Sequence, residues 1–182
     1  MLHKVVSVQN TAADCFVCGA DNPFGLHAKF YVLEDGDLAA LVTFHPTHQS
    51  YPGRVHGGAI SALLDEAAGR VIQITEPDTW AVTGELTVRF LKPVPYGVPL
   101  KLRARVAENA RRLFVGECRL YGPDGVLLAS GAAKYVKMPV EKIAAFTPGT
   151  RDWMLRPSPD DPAGIDLPAW DEPAGKVRPG TD

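Results

Sequence analysis

The chain has 182 residues, 46% of them hydrophobic, and a formal net charge of −2. That length suits one domain with a substantial core rather than two, and the charge balance gives no electrostatic case for nucleic-acid binding. No apolar run reaches membrane-spanning length, Met1–Val6 lacks the long apolar core of a secretory signal, and three cysteines, an odd number, suit a reducing compartment. A cytoplasmic protein without nucleic-acid or membrane partners is expected.

Residues 1–14 carry little pattern and predict a short turn or helix. Cys15-x-x-Cys18-Gly19 follows and raises the question of zinc, which normally takes four protein ligands, or three with an open position. The further candidates, His27 and Cys118, are scattered in sequence. The expectation is therefore a tight loop with one or both thiols buried, and no metal. Leu26 to Leu33 and Leu38 to Phe44 read as two strands of a hairpin, joined through an Asp-Gly turn at Asp35-Gly36. His45 and His48 open the next loop and read as solvated.

Pro52-Gly53 marks a turn ahead of the segment Val55-His56-Gly57-Gly58. From there Ile60, Leu63, Leu64, Ala67 and Val71 recur at helical spacing, an apolar stripe that predicts one long helix. Asp65 lies off the stripe, with the small residues Ser61, Ala62, Ala68 and Gly69 as helical neighbours, which lets another chain or a ligand come close. Glu66 stands four residues before Arg70 and reads as an exposed salt-bridge partner. Ser61 shares a face with Asp65, but no Gly-x-Ser-x-Gly elbow surrounds it.

A helix N-terminus leaves backbone N–H groups unpaired and concentrates positive dipole there. At Gly57 and Gly58 no side chain blocks access, so this end suits a carbonyl oxygen that gains charge during acyl transfer. A carboxylate, Asp65, and an oxyanion-type donor in one short segment point to hydrolysis of an ester-like bond, and His56 is expected to orient the loop or touch the bond attacked, with helix capping as the alternative. Seven residues separate Gly58 from Asp65, roughly 10 Å of helix, whereas both groups must approach one reacting centre within about 3 Å. The sequence therefore predicts that Gly58 of one subunit works with Asp65 of another.

Trp80 to Leu91, Leu100 to Val106, Leu113 to Tyr121 and Val126 to Lys137 read as further strands, separated by Pro/Gly turns. Hairpin, helix and meander predict an α+β architecture: an antiparallel sheet with a single long helix against one face. By strict alternation Thr83 falls with Glu85, Thr87 and Arg89 on the polar face, although Gly84 could mark a bulge that re-aims it. From Pro139 the pattern changes. Half of the 16 prolines lie there, so 1–138 reads as the domain and 139–182 as an extended tail. Trp153 and Trp170 are expected to pack part of that tail on the body or on a neighbouring subunit.

His-Gly-Gly at 56–58, then an acid nine positions after the His on a small-residue helix, resembles the hot-dog-fold acyl-CoA thioesterases of the phenylacetate-pathway type. The segment Val82–Pro93 looks like the strand that follows the helix in that family. The opening Cys15-Phe16-Val17-Cys18-Gly19 with Asn22-Pro23-Phe24-Gly25-Leu26 resembles a signature of some members, so the likeness covers about 14–138. The resemblance implies a sheet wrapped around a central helix, in a homodimer or homotetramer, with an acyl-CoA substrate and no cofactor. It implies that the helix-start glycine amide polarises the thioester carbonyl, that Asp65 is general base or nucleophile, and that Thr83 helps to hold water. Gln49-Ser50 stands where many members carry Asn or Gln. Arg54, Arg89 and Lys92, with Arg103, Arg105, Arg111 and Arg112, are candidates for the coenzyme's phosphates. Two other activities compete: an acyl-thioester dehydratase or hydratase, and a non-catalytic acyl-CoA binder.

Overall fold

The computed structural model describes residues 1–145 and 149–170. Among these, eight strands form one antiparallel sheet: β1 (Leu2–Val8), β2 (Lys29–Leu33), β3 (Leu38–Val42), β4 (Ala81–Phe90), β5 (Leu100–Asn109), β6 (Leu113–Tyr121), β7 (Leu127–Lys137) and β8 (Gly164–Asp166). Their order across the sheet is β4-β7-β6-β5-β3-β2-β1-β8. The single long helix α1 (Gly57–Arg70) links β3, in the middle, to β4, at one edge, and packs across β3 to β7. The expected α+β arrangement is therefore present, with helix and sheet enclosing one main core. No helix of the described residues is long and apolar enough to cross a membrane.

Helix α1 forms where the apolar stripe predicts it. Ile60, Leu63, Leu64, Ala67 and Val71 are all buried, and full burial of a leucine contributes about 1.5–3 kcal/mol. Two of the small residues around Asp65, Ala68 and Gly69, serve this chain's own sheet. Ala68 lies against Gly116 of β6 so tightly that a Cβ on Gly116 would sit 2.0 Å from the Ala68 carbonyl oxygen. Leu64 meets Gly131 of β7 in the same way, at 3.3 Å. Arg70 closes the helix and is buried, not exposed: its guanidinium pairs with Glu66 at 2.7 Å and lies over the rings of Phe30 and Trp153. A cation at a helix C-terminus also complements the macrodipole.

Beyond the helix, Glu76 accepts hydrogen bonds from Asn109, Lys137 and Thr79. Those bonds, Asn109's first, hold its carboxyl down at about 2 against an ordinary 4.5. A depressed carboxylate stabilises the fold fully above its ordinary value and loses that contribution as pH falls through the folded one. Glu76→Gln is thus expected to flatten the acid side of a urea-midpoint against pH curve between those two values. An unchanged curve would refute this.

The N-terminus departs from expectation. Residues 2–8 form a strand, not a turn or helix, because β2 pairs with one of its edges and the tail segment β8 with the other. The tail also packs through its tryptophans. Trp153 meets Trp80 edge-on at 5.2 Å. Trp170 lies under the guanidinium groups of Arg103, Arg105 and Arg119, and its ring N–H donates to Asp37 at 2.6 Å. The tail residues 146–148 and 171–182 lie outside the described residues.

Candidate active site

The loop before α1 is fixed from within. His48 is buried, not solvated. Its Nδ1 accepts the His45 amide, its Nε2 lies 3.1 Å from the Phe24 carbonyl, and its own carbonyl accepts the His56 amide at 2.8 Å. Gln49 accepts from the Tyr96 hydroxyl at 3.0 Å and bridges to Val55. Val55 is held by the Val94 carbonyl.

His56 then caps the helix. Its backbone is extended, and its Nδ1 accepts the Gly58 amide at 2.9 Å. This corrects the expectation that both glycine amides are open to substrate. The Gly58 amide is occupied by His56, whose imidazole is spent on capping. The Gly57 amide has no acceptor among the described residues. Ser61 donates to the Gly57 carbonyl at 2.8 Å, back-bonding within its own helix.

Gly57 lines a groove of about 630 Å³ with Ser50, Tyr51, Arg54, Ile60, Phe90 and Lys92 among its walls. That volume lies within the range of small-molecule sites, about 300–1,000 Å³. Its walls are largely apolar, with Arg54 and Lys92 as cations beside them. Ser50, Arg54 and Lys92 thus line one groove, whereas Gln49 anchors the loop and does not line it. Arg89 is elsewhere, in an outer hollow with Glu117, Arg119 and Trp170. Arg103 is buried between Asp35 and Asp37, and Arg105 pairs with Glu117. Those two arginines hold the tail and are not available to a phosphate.

Asp65 occupies a separate hollow of about 220 Å³ with Glu66, Gly69, Trp80, Thr83 and Tyr135 among its neighbours. Thr83 reaches it through a bulge. Thr83 pairs with Tyr135 and Glu85 with Lys134, so Gly84 is the extra residue and Thr83 turns to the helix side. Its hydroxyl donates to Asp65 Oδ1 at 2.9 Å. Sequence reasoning missed Tyr135, whose Oη lies 2.6 Å from the Asp65 carbonyl and 3.1 Å from Oδ1. Burial first, then the Asp65 charge, push the Tyr135 hydroxyl up from its ordinary value, so it stays a proton donor. Its signal in the sequence is a hydroxyl on the helix-facing side of β7, after the small residues Ala129, Gly131 and Ala133. Asp65 Oδ2 has no hydrogen-bond partner among the described residues.

One helix therefore presents a carboxylate with a free oxygen in one hollow and an unpaired amide in another. Residues 52–129, which contain the cap, the helix and β4 to β6, match the model of the thioesterase superfamily.

Over those residues the chain is similar to the thioesterase superfamily.

The chain is 29% identical over 118 residues to mouse (Mus musculus) acyl-coenzyme A thioesterase THEM4, covering 64% of this chain and 50% of that one. A solved thioesterase-superfamily protein, RHA08564, is 26% identical with a TM-score of 0.63, covering 67% of this chain and 62% of that one. The Escherichia coli PaaI protein of the phenylacetic acid degradation operon has the same fold, with a TM-score of 0.57 at 19% identity, covering 62% of this chain and 80% of that one. The chain thus spans half the length of the mouse thioesterase.

Proposed function

We propose that this chain hydrolyses acyl-CoA thioesters at a site shared between two copies. The Gly57 amide of one copy receives the carbonyl oxygen, and Asp65 of the other supplies the base or nucleophile. The observation that carries this is the separation of the two groups into different hollows of one chain. The mouse relative is named for acyl-CoA hydrolysis. Asp65 suits the role because Thr83 and Tyr135 address Oδ1, which leaves Oδ2 to take a proton from water or to attack. The spent His56 disfavours a hydratase, which needs an acid and a base close together beside the acyl chain.

The edge strand β4 supports the pairing. Among the described residues this strand pairs with β7 on one side only, and an unpaired edge is a template for another chain. Residues directly opposite in an antiparallel pair must face the same way. Two β4 strands centred on Thr87 satisfy this. Glu85 then meets Arg89 of the second copy, Leu86 meets Val88, and Phe90 meets the bulge at Thr83 and Gly84. Phe90 packs against Gly57, and Thr83 bonds to Asp65. This register therefore brings each Asp65 toward the other copy's Gly57.

Two measurements test the proposal. A screen of short, long and aromatic acyl-CoAs with a thiol-trapping dye is expected to reveal turnover for at least one class. Hydration of an enoyl-CoA without thiol release would reject hydrolysis. For the interface, Glu85→Arg and Arg89→Glu are each expected to shift the protein toward monomer in sedimentation, and the double swap to restore the dimer. Cross-strand charge pairs contribute about 0.2–1 kcal/mol each, doubled by the two-fold. Equal behaviour of single and double variants would reject the register.

A further inference from the structure

The Cys15–Cys18 loop is not merely a tight turn with buried thiols. The amides of Val17 and Cys18 both donate to Cys15 Sγ, at 3.3 and 3.4 Å, and the Gly19 amide donates to the Cys15 carbonyl at 3.0 Å. Gly19 is required by the closeness of this turn, since a Cβ there would lie 2.3 Å from the Cys15 carbonyl oxygen. Amides aimed at a sulfur favour its thiolate form, the form that binds metal. Glu66, on α1, brings its carboxylate to the same place. The sulfurs of Cys15 and Cys18 and a carboxylate oxygen of Glu66 all lie within 4.8 Å of one another. The sequence expectation sought a further ligand at His27 and Cys118. Instead His27 lies against the Asn22 carbonyl, Cys118 is buried against the Leu64 carbonyl, and the third group comes from the helix.

The geometry points to a zinc site formed by Cys15, Cys18 and Glu66, with solvent as fourth ligand beside the half-buried Cys15. Zinc–sulfur bonds of about 2.3 Å and zinc–oxygen bonds of about 2.0–2.2 Å in a tetrahedron set the ligand atoms roughly 3.5–3.8 Å apart. The three groups therefore need to close by no more than about 1 Å to meet those bond lengths. Arg70 organises the set from outside. Its guanidinium donates to Cys18 Sγ at 3.0 Å and to Glu66 Oε1, and so offsets part of the charge the two ligands carry. Two thiolates and a carboxylate beside one guanidinium leave two negative charges, and one divalent cation cancels them. Binding releases the thiol protons to solvent. The ion would tie the N-terminal loop to α1 at the residue next to Asp65, a structural clamp outside the reacting centre.

The full chain, expressed with zinc and purified anaerobically without chelator, is expected to carry one zinc per chain by elemental analysis. Replacement by cobalt(II) is expected to give the near-ultraviolet thiolate-to-cobalt charge-transfer band of a tetrahedral site, and Cys18→Ser to lose it. Should Cys18→Ser fail to fold, Glu66→Gln keeps an oxygen for Arg70 while removing the anionic ligand. It is expected to keep a folded circular-dichroism spectrum and to surrender its metal to a chelator at least about tenfold more readily. A folded wild-type protein with neither zinc nor the cobalt band would overturn the site. So would the mass loss of a Cys15–Cys18 disulfide in that anaerobic preparation, or a Glu66→Gln variant that binds as tightly as wild type.

Discussion

Asp65→Asn is expected to lower kcat for thioester cleavage by about 10²–10⁴-fold, the contribution of a positioned general acid or base. The fold should be unaffected, because the asparagine carbonyl oxygen still accepts from Thr83 and Tyr135, the two donors that address Oδ1. What is lost is the charge and the proton-accepting Oδ2. Thiol release measured beside a thermal melt separates chemistry from stability, and undiminished kcat would remove Asp65 from the mechanism. The shared site adds a sharper expectation. Asp65→Asn mixed with a groove-blocking Gly57→Val should regain activity, because a mixed dimer holds one undamaged pair. Under random exchange the recovery approaches about a quarter of the wild-type rate, as two-fold symmetry requires. Two variants that exchange subunits yet stay inactive would place both groups within a single copy.

The second large effect is on stability. Gly116→Ala sets a methyl 2.0 Å from the Ala68 carbonyl oxygen, a backbone atom with no rotamer to escape into. Helix or strand must move. A cost at the upper end for overpacking, about 3 kcal/mol, is expected. At about 2–4 °C per kcal/mol for a chain of this size, Tm should fall by roughly 6–12 °C. Ala132→Ser, on the exposed side of β7, serves as control and should stay within about 0.5 kcal/mol of wild type. Equal melting of the two variants would mean that the helix does not sit as closely on β6 as described.

The elements written in periodicity were legible. β2 to β7 alternate or are bounded by turn residues, and the stripe carried by α1 and by Val71 just past its end is buried at all five predicted positions. β1 was not, because only His3 of its seven residues is buried and part of its pairing comes from β8, more than 150 residues away. Spacing identified Glu66 and Arg70 as partners but could not reveal burial, which depends on Phe30 and Trp153 arriving from distant segments. Within the site, the two separated groups were deducible from helix rise alone. The role of His56 was not: the same His-Gly-Gly triplet reads equally as an open oxyanion loop or as a capped helix start, and only the Nδ1 contact decides. Thr83 turned on the bulge at Gly84. Tyr135 required knowing which face of β7 meets the helix.

The close seat of α1 on Gly116 also bears on how this chain could change its diet. A helix that cannot slide holds Asp65 and the capped turn at fixed places on the sheet, so under the proposed mechanism the reacting groups keep their positions whatever acyl group arrives. Under that reading, tolerance for new substrates is acquired at the periphery, where Tyr51 stands 78% exposed beside the groove. Selection, or a directed library, that leaves the helix and Phe90 untouched and varies that ring would be exploring the part of the molecule free to vary.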